Sequence, residues 1–117
     1  MKNQAFLNRF GFALRGVASA WRTEHSFRFH VLALAVLGVG LLILRPGALW
    51  TAVLVIAAAG VIAAELLNTA IEALADRLHP EQHPQIQVVK DCAAGAVLVA
   101  AVGAWGAGTA LAFHLWG

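Results

Sequence analysis

Residues 47–78 read GALWTAVLVIAAAGVIAAELLNTAIEALADRL, an uncharged run that continues directly into a charged one. The uncharged part, residues 47–64, has nearly the length that a helix needs to cross the hydrocarbon core of a bilayer. No Gly or Pro occurs between Glu65 and Leu78, so nothing stops the helix where the apolar run ends. The stretch therefore predicts one long helix that crosses a membrane and then leaves it.

The composition of the whole chain is typical of a membrane protein. Hydrophobic residues make up 61% of the 117 residues and charged residues 12%, against roughly 25% charged residues in a typical soluble domain. A soluble protein of this length has too much surface to hide so many apolar side chains. The net charge of +2 does not favour nucleic acid as a partner. The single cysteine, Cys92, excludes an intrachain disulfide and a cysteine-cluster metal site.

Three further segments are predicted to be helical. An N-terminal segment has apolar residues at spacings of three and four with arginines among the others, which is typical of an amphipathic helix on the membrane surface. Two more apolar segments are long enough to be spans, and the first of them ends at a Pro-Gly turn. The predicted elements are the surface helix at about 5–22, spans at about 27–44, 47–78 and 91–116, and the turn at 45–47.

These elements predict a single domain, residues 1–117, folded as an all-α membrane protein with three transmembrane helices and an N-terminal surface helix. Glycines and alanines are frequent in the third span, which favours close packing between helices. A bundle so rich in small residues is not expected to be complete as one copy, so we expect a homo-oligomer. Trp105, in the middle of that span, is interpreted as a packing residue.

The basic residues predict the orientation in the membrane, because Lys and Arg concentrate in cytoplasmic segments. Seven of the eight precede the apolar core of the first span, residues 31–44, or flank the segment 79–90, which we expect to be a loop. Only Arg45 lies at the opposite ends of the spans. The N-terminus and the 79–90 segment are therefore predicted to be cytoplasmic. The seven residues are Lys2, Arg9, Arg15, Arg22, Arg28, Arg77 and Lys90.

A stripe of polar residues runs along the second span at offsets 0, 3, 7 and 11. At about 100° per residue these offsets fall within an arc of roughly 80°, so one face of the helix carries all four. An ionisable residue at membrane depth is costly and indicates a functional site. For Glu72 and Asp76 taken alone, a position without a functional role is an equal alternative. Glu72 could be a solvated charge, and Asp76 could mark the interfacial end of the helix. The carboxylate stripe consists of Glu65, Asn68, Glu72 and Asp76.

Phosphoryl transfer from a nucleotide needs several carboxylates together with a few cations. Carboxylates hold Mg²⁺, cations neutralise phosphate oxygens, and a base takes the proton of the attacking hydroxyl. Glu24, Glu72 and Asp76 are candidate metal groups. Lys90 is a candidate phosphate cation, and Glu65 could act as base on a lipid hydroxyl. The P-loop and protein-kinase signatures are absent from the sequence, so neither of those nucleotide sites applies.

Three motifs resemble the prokaryotic diacylglycerol kinase family, which includes the undecaprenol kinases. They are ELLNTAIEALADR at 65–77, KDCAAGAV at 90–97 and WRTEHSFR at 21–28, and the resemblance covers nearly the whole chain. It implies a homotrimeric enzyme of the bacterial inner membrane with three spans and a surface helix per subunit. It also implies transfer of the γ-phosphate of Mg·ATP to a lipid hydroxyl, at sites shared between neighbouring subunits.

The resemblance also implies roles for residues that match the family's motifs. Glu65 corresponds to the catalytic base, and Glu24 and Glu72 correspond to ligands of Mg²⁺. Asn68 lines the active site together with the Lys90-Asp91 pair, which lies at the nucleotide. The residues implied at the nucleotide and its metal are Phe12, Glu24, Glu72, Asp76, Glu81, His83, Lys90 and Asp91.

Departures from the family leave two lipid substrates open, diacylglycerol as the expected acceptor and undecaprenol as the alternative. Phe12 stands where the best-studied diacylglycerol kinases have a tyrosine that contributes to ATP binding. Their nucleotide-binding arginine aligns with Ala5 or, after a small shift, with Arg9. The stretches FRFH at 27–30 and AAGAV at 93–97 look more like the undecaprenol-kinase branch.

Two other classes of protein compete with the kinase. A small proton-coupled exporter would use Glu65 as its proton carrier, but it has no use for the Lys90-Asp91 pair, and an odd number of spans fits it poorly. A non-catalytic membrane subunit would use the carboxylate stripe only for assembly. No functional role follows from the sequence for four other histidines, which we interpret as interfacial or loop residues: His25, His30, His79 and His114.

Overall fold

The structure is a computed structural model that describes residues 2–117, with side chains from residue 4 onward, and the described chain forms four helices. The side chain of Lys2, one of the basic residues used to predict the orientation, lies outside the described part. The last three helices are each long and apolar enough to cross a membrane, which confirms the all-α fold with three spans. The helices are α1 (Lys2–Thr23), α2 (His25–Leu44), α3 (Ala48–Leu78) and α4 (Pro84–Trp116).

The turn between α2 and α3 has two residues with positive φ. Arg45 ends α2 in the left-handed conformation with φ 48°, and its N–H donates to the carbonyl of Leu41. Gly47 has φ 106°, which a residue without Cβ adopts freely. The predicted turn at 45–47 is confirmed. It reverses the chain, so that residues from opposite ends of α2 and α3 are brought together.

The helix α4 begins earlier than predicted. We expected a loop over 79–90 and a span over 91–116, whereas the helix starts at Pro84. Proline is favoured in the first turn of a helix because its missing N–H needs no partner there. The ring nitrogen Nδ1 of His83 also accepts a hydrogen bond from the backbone N–H of Gln85 and so caps the helix. The prediction began the span at the charged residues Lys90 and Asp91, although no Gly or Pro in residues 85–89 would interrupt a helix before them.

The helix α3 is the central element of the fold. It packs most extensively against α4 and also contacts α2 and α1. A small apolar core near the 45–47 turn joins the three spans through Leu41, Leu54 and Leu111. Beside this core the indole of Trp50 stacks on the ring of His114, with centroids 5.3 Å apart. The core fixes one end of α3, and the carboxylate stripe lies toward the other end.

Several apolar faces have no partner within the chain. Trp105 is 80% exposed in one copy, so its packing role stays a prediction. Among the described side chains of α1 only Ala20 is buried, and the predicted apolar stripe of that helix is exposed. The homo-oligomer and the surface position of α1 stay predictions. A Cβ added to four glycines of α4 would meet nothing within 4 Å: Gly95, Gly103, Gly106 and Gly108.

Candidate functional site

The carboxylate stripe continues the buried face of α3. Leu54 and Val61 are buried eleven and four residues before Glu65, which places all three on one side of the helix. Glu65 is 4% exposed and is the one buried polar or charged residue among the described side chains. Toward the C-terminus Asn68 and Glu72 are half-buried, and Asp76 is exposed. Solvent exposure therefore rises along the stripe, from a buried carboxylate to an open one.

The buried end of the stripe contacts α2 through a histidine. The Nδ1 atom of His30 lies 2.7 Å from Oε1 of Glu65. This nitrogen is buried and makes no well-aligned hydrogen bond within the described chain. The two atoms are therefore close enough for a hydrogen bond but are not oriented as in one. We interpreted His30 from the sequence as an interfacial residue, and the structure instead makes it the partner of the buried carboxylate.

An apolar cavity lies beside this contact, between α2, α3 and α4. Its volume is about 150 Å³, and His30 is the one polar residue in its lining. Val61, one turn before Glu65, forms part of the opposite wall. The remaining lining residues are Ala33, Leu34, Leu37, Ala58 and Ala104. The contact between His30 and Glu65 therefore marks the boundary between an apolar interior and the polar stripe.

The middle of the stripe presents oxygen ligands. The amide Nδ2 of Asn68 donates to Oε1 of Glu72 over 3.3 Å, one turn further along α3. The amide oxygen Oδ1 of Asn68 is buried and has no hydrogen-bond partner in the described part of the chain. A buried carbonyl oxygen without a partner is costly, so this atom is suited to a ligand. The two side chains form a short row of hard oxygen donors.

The exposed end of the stripe is joined to α4 by a salt bridge. The Nζ atom of Lys90 donates to Oδ1 of Asp76 over 2.5 Å. The Lys90 side chain is 31% exposed and the Asp76 side chain 64%, so water reaches both groups. The cation that we predicted for phosphate oxygens therefore lies at the solvent end of the stripe.

Asp91 makes no hydrogen bond or salt bridge with the stripe in the described part of the chain. One residue turns a helix by about 100°, so Asp91 points in a different direction from Lys90, which contacts Asp76 on α3. Its side chain is exposed, and Oδ1 accepts a hydrogen bond from Nε2 of Gln87 over 2.9 Å. Lys90 therefore contacts the stripe, whereas the hydrogen bond of Asp91 lies within α4.

The remaining predicted nucleotide residues have local contacts outside the stripe. The ring of Phe12 is exposed on α1 and carries the Arg15 guanidinium 4.8 Å from its centroid. Glu81 is exposed in the connection between α3 and α4, where its carbonyl contacts Nδ1 of His79 over 2.8 Å. Within the described residues no hydrogen bond or salt bridge links Phe12, Glu81 or His83 to the stripe. The roles of these three residues at the nucleotide stay predictions.

The two predicted Mg²⁺ ligands come from different elements. Glu24 is the N-cap residue of α2, half-buried, and its side chain makes no capping hydrogen bond. Over residues 2–117 no group of three or more His, Cys, Asp or Glu is placed to hold a metal ion. Mg²⁺ needs only one or two carboxylates when water and phosphate oxygens complete its shell. The oxygens of Glu72 and Asn68 fit that requirement, and the metal assignment stays a prediction.

Comparison with known sequences supplies the family. The profile of prokaryotic diacylglycerol kinase matches residues 11–112. An undecaprenol kinase of Bacillus subtilis (strain 168) is 41% identical over 98 residues, which cover 83% of this chain and 79% of that protein. A diacylglycerol kinase of Synechocystis sp. is 38% identical over 96 residues, covering 81% of this chain and 55% of that protein. A diacylglycerol kinase of Escherichia coli (strain K12) is 33% identical over 92 residues, covering 79% and 75%.

The matched region contains most of the described site, from the first turn of α2 to the end of the stripe and the start of α4. The resemblance found in the motifs is confirmed, and the exporter and the non-catalytic subunit lose their support. With three apolar helices that can cross a membrane, the chain is a multi-pass membrane protein. It belongs to the prokaryotic diacylglycerol kinase family, a family of membrane lipid kinases.

Proposed function

We propose that this protein transfers the γ-phosphate of ATP to the hydroxyl of diacylglycerol and so forms phosphatidic acid. The observation that carries the proposal is the gradient of exposure along the stripe, from buried Glu65 to the exposed salt bridge of Asp76 and Lys90. A lipid hydroxyl comes from the membrane and ATP from water, so the two substrates would meet along one face of α3. The names of the related kinases support the same reaction.

Each end of the stripe has a separate chemical task in this proposal. Glu65 takes the proton of the lipid hydroxyl while the hydroxyl oxygen attacks the γ-phosphorus. The bond from the γ-phosphorus to the β,γ-bridging oxygen then breaks, and ADP leaves with that oxygen. Lys90, at the exposed end, neutralises charge on the phosphate oxygens. Asn68 holds the carboxylate of Glu72 in place through its 3.3 Å hydrogen bond.

Glu24 and Glu72 would hold Mg²⁺, and Oδ1 of Asn68 offers a further oxygen. The bound ion would neutralise charge that develops on the transferred phosphoryl group. Hard oxygen donors are the ligands that Mg²⁺ prefers, which supports this assignment over one through the ring nitrogens of nearby histidines. The carboxylate of Glu24 is available for this task because it does not cap α2.

A neighbouring subunit would complete the site in a homotrimer. Asp91 is exposed and accepts a hydrogen bond from Gln87, and we propose that it contacts the nucleotide at the site of another copy, as would Phe12, Glu81 and His83. The open faces of the glycines in α4 are suited to such a contact between copies. The protein would lie in the bacterial inner membrane with its N-terminus and the 79–83 connection in the cytoplasm.

The test is phosphoryl transfer by purified protein in mixed micelles with labelled ATP, Mg²⁺ and diacylglycerol. We expect labelled phosphatidic acid from the unmodified protein. Glu65→Gln should lower the turnover number by about 10²–10⁴-fold, which is the usual contribution of a general base. Its helical content and elution volume should stay unchanged. Undiminished turnover in Glu65→Gln would contradict its role as base, and an unlabelled lipid would contradict the kinase activity.

Undecaprenol is the second candidate acceptor. The stretch FRFH at 27–30 resembles the undecaprenol-kinase branch, and the relative from Bacillus subtilis is an undecaprenol kinase. The same assay with both lipids in competition would give the ratio of their kcat/KM values. We expect the ratio to favour diacylglycerol, and a ratio that favours undecaprenol would replace the first acceptor by the second.

A further inference from the structure

We propose that His30 is a positioning residue that holds the carboxylate of Glu65 in its reactive orientation. The proposal rests on the function proposed above, in which Glu65 is the base. It adds a residue within α2 to a site for which the sequence predicts no residue inside that helix. His30 contacts neither substrate in this proposal and acts only through Glu65.

The first support is the environment of the Glu65 carboxylate. A buried carboxylate needs a polar partner, because the surrounding apolar groups cannot replace the water that it has lost. Glu65 is 4% exposed, and Nδ1 of His30 lies 2.7 Å from its Oε1 atom. A contact that fixes one oxygen leaves the other, Oε2, for the proton of the attacking hydroxyl.

The second support is the environment of the histidine. Its Nδ1 atom is buried and has no aligned hydrogen bond within residues 4–117, so contact with Glu65 is the polar interaction within its reach. The nearest cation along α2, Arg28, instead contacts Nδ1 of His25 over 2.8 Å. Hydrogen bonds of catalytic groups are often poorly aligned without substrate and tighten in the reactive complex. The close but unaligned contact is consistent with that behaviour.

The alternative is that His30 serves only as an aromatic packing group, and its ring does have apolar surroundings. The ring of Phe29 lies edge-on to the imidazole with centroids 5.5 Å apart, and the apolar cavity lies beside it. If His30 served only as an aromatic packing group, phenylalanine would replace it best. If it acts through Nδ1, asparagine would replace it best, because its Nδ2 atom stands the same number of bonds from Cα.

The experiment compares His30→Asn with His30→Phe in the diacylglycerol assay. We expect His30→Phe to lower kcat by about 10- to 100-fold, less than the loss of the base itself, because a misplaced base keeps part of its contribution. His30→Asn should retain several times more turnover than His30→Phe. The KM for Mg·ATP should stay within about twofold in both variants, because His30 lies at the end of the stripe away from the nucleotide. Higher turnover in His30→Phe than in His30→Asn would overturn the proposal in favour of packing.

A second measurement separates this inference from the function on which it rests. In a Glu65→Gln background, His30→Phe should cause less than a twofold further loss, since a residue that acts through Glu65 has nothing left to position. An additive loss would overturn the proposal. His114→Gln is the matched control, because that histidine stacks on Trp50 near the opposite end of the helices. An inactive unmodified protein would contradict the proposed function, whereas an active protein with an unaffected His30→Phe variant would contradict this inference alone.

Discussion

Exchanging the partners of the Asp76–Lys90 salt bridge separates its structural role from its catalytic one. The change is the double substitution Asp76→Lys with Lys90→Asp, compared with each single substitution. The exchange keeps an ion pair between α3 and α4 but moves the cation from α4 to α3. We expect the exchanged pair to restore stability and to leave phosphoryl transfer low.

The expected magnitudes follow from exposure. The two side chains are 31% and 64% exposed, and exposed ion pairs contribute roughly 0.2–1 kcal/mol because water screens them. Each single substitution should therefore lower the free energy of unfolding by about 1 kcal/mol or less. A cation placed to meet charge in the transition state is worth about 2.7–4 kcal/mol, or roughly 10²–10³ in kcat. Loss of Lys90 should thus affect catalysis far more than stability.

Two assays on the same preparations test this difference. Thermal unfolding in detergent measures the contribution of the salt bridge to stability. All variants are compared at one protein concentration, because the stability of an oligomer depends on concentration. Labelled transfer to diacylglycerol measures the catalytic term. We expect the exchanged protein to unfold within a few degrees of the original and to turn over at least about 100-fold more slowly. Recovery of turnover together with stability would refute the reasoning, because it would show that the salt bridge serves only to hold α3 and α4 together.

Three further predictions concern the metal, the turn and the core. Glu72→Gln should raise the Mg²⁺ concentration needed for half-maximal activity at least about tenfold, as measured by metal titration at fixed ATP, and an unchanged requirement would count against ligation. Gly47→Ala should destabilise the protein by about 1 kcal/mol or more in thermal unfolding, because a φ of 106° is strained for a residue with Cβ. Gly60→Ala is the control and should not destabilise it, because Gly60 lies in regular helix with open space beside it. Leu54→Ala should lower the free energy of unfolding by about 2–5 kcal/mol, because it leaves a cavity in the core. Leu49→Ala should lower it much less, because that side chain is 78% exposed, and equal losses would contradict the packing of the core.

Features that depend on one helix were predictable from the sequence. The helix α3 was found within one residue at each end, because an apolar run, a Pro-Gly turn before it and the absence of breakers after it are local signals. The common face of Glu65 and Asp76 follows from helix geometry alone. The gradient of exposure along that face follows from the order of apolar and charged residues.

Features that depend on two helices were not predictable in the same way. His30 and Glu65 are thirty-five residues apart, and no periodic pattern relates them. The turn at 45–47 sets which residues of α2 lie beside which residues of α3. His30 and Glu65 are equally far along the chain from the junction of this turn with α3, as are Leu41 and Leu54 of the core, so the same alignment of the two helices brings both pairs together. A prediction of this contact needed that alignment, which hydropathy does not supply. The exposure of Trp105 in one copy was not predictable for a related reason, because the sequence does not tell whether a packing face is used within one chain or between chains.

The different contacts of Lys90 and Asp91 bear on how the site is assembled. Lys90 is bound to the stripe of its own chain, whereas Asp91 is exposed and held only by Gln87. We propose that the two residues serve different sites, because their side chains point about 100° apart around α4 and only Lys90 contacts the stripe. In that arrangement Asp91 would serve the site of another copy while Lys90 stays with its own stripe. Mixing inactive Lys90→Gln and Asp91→Asn proteins should therefore restore part of the transfer activity, and mixed assemblies that stay inactive would place both residues in one subunit's site.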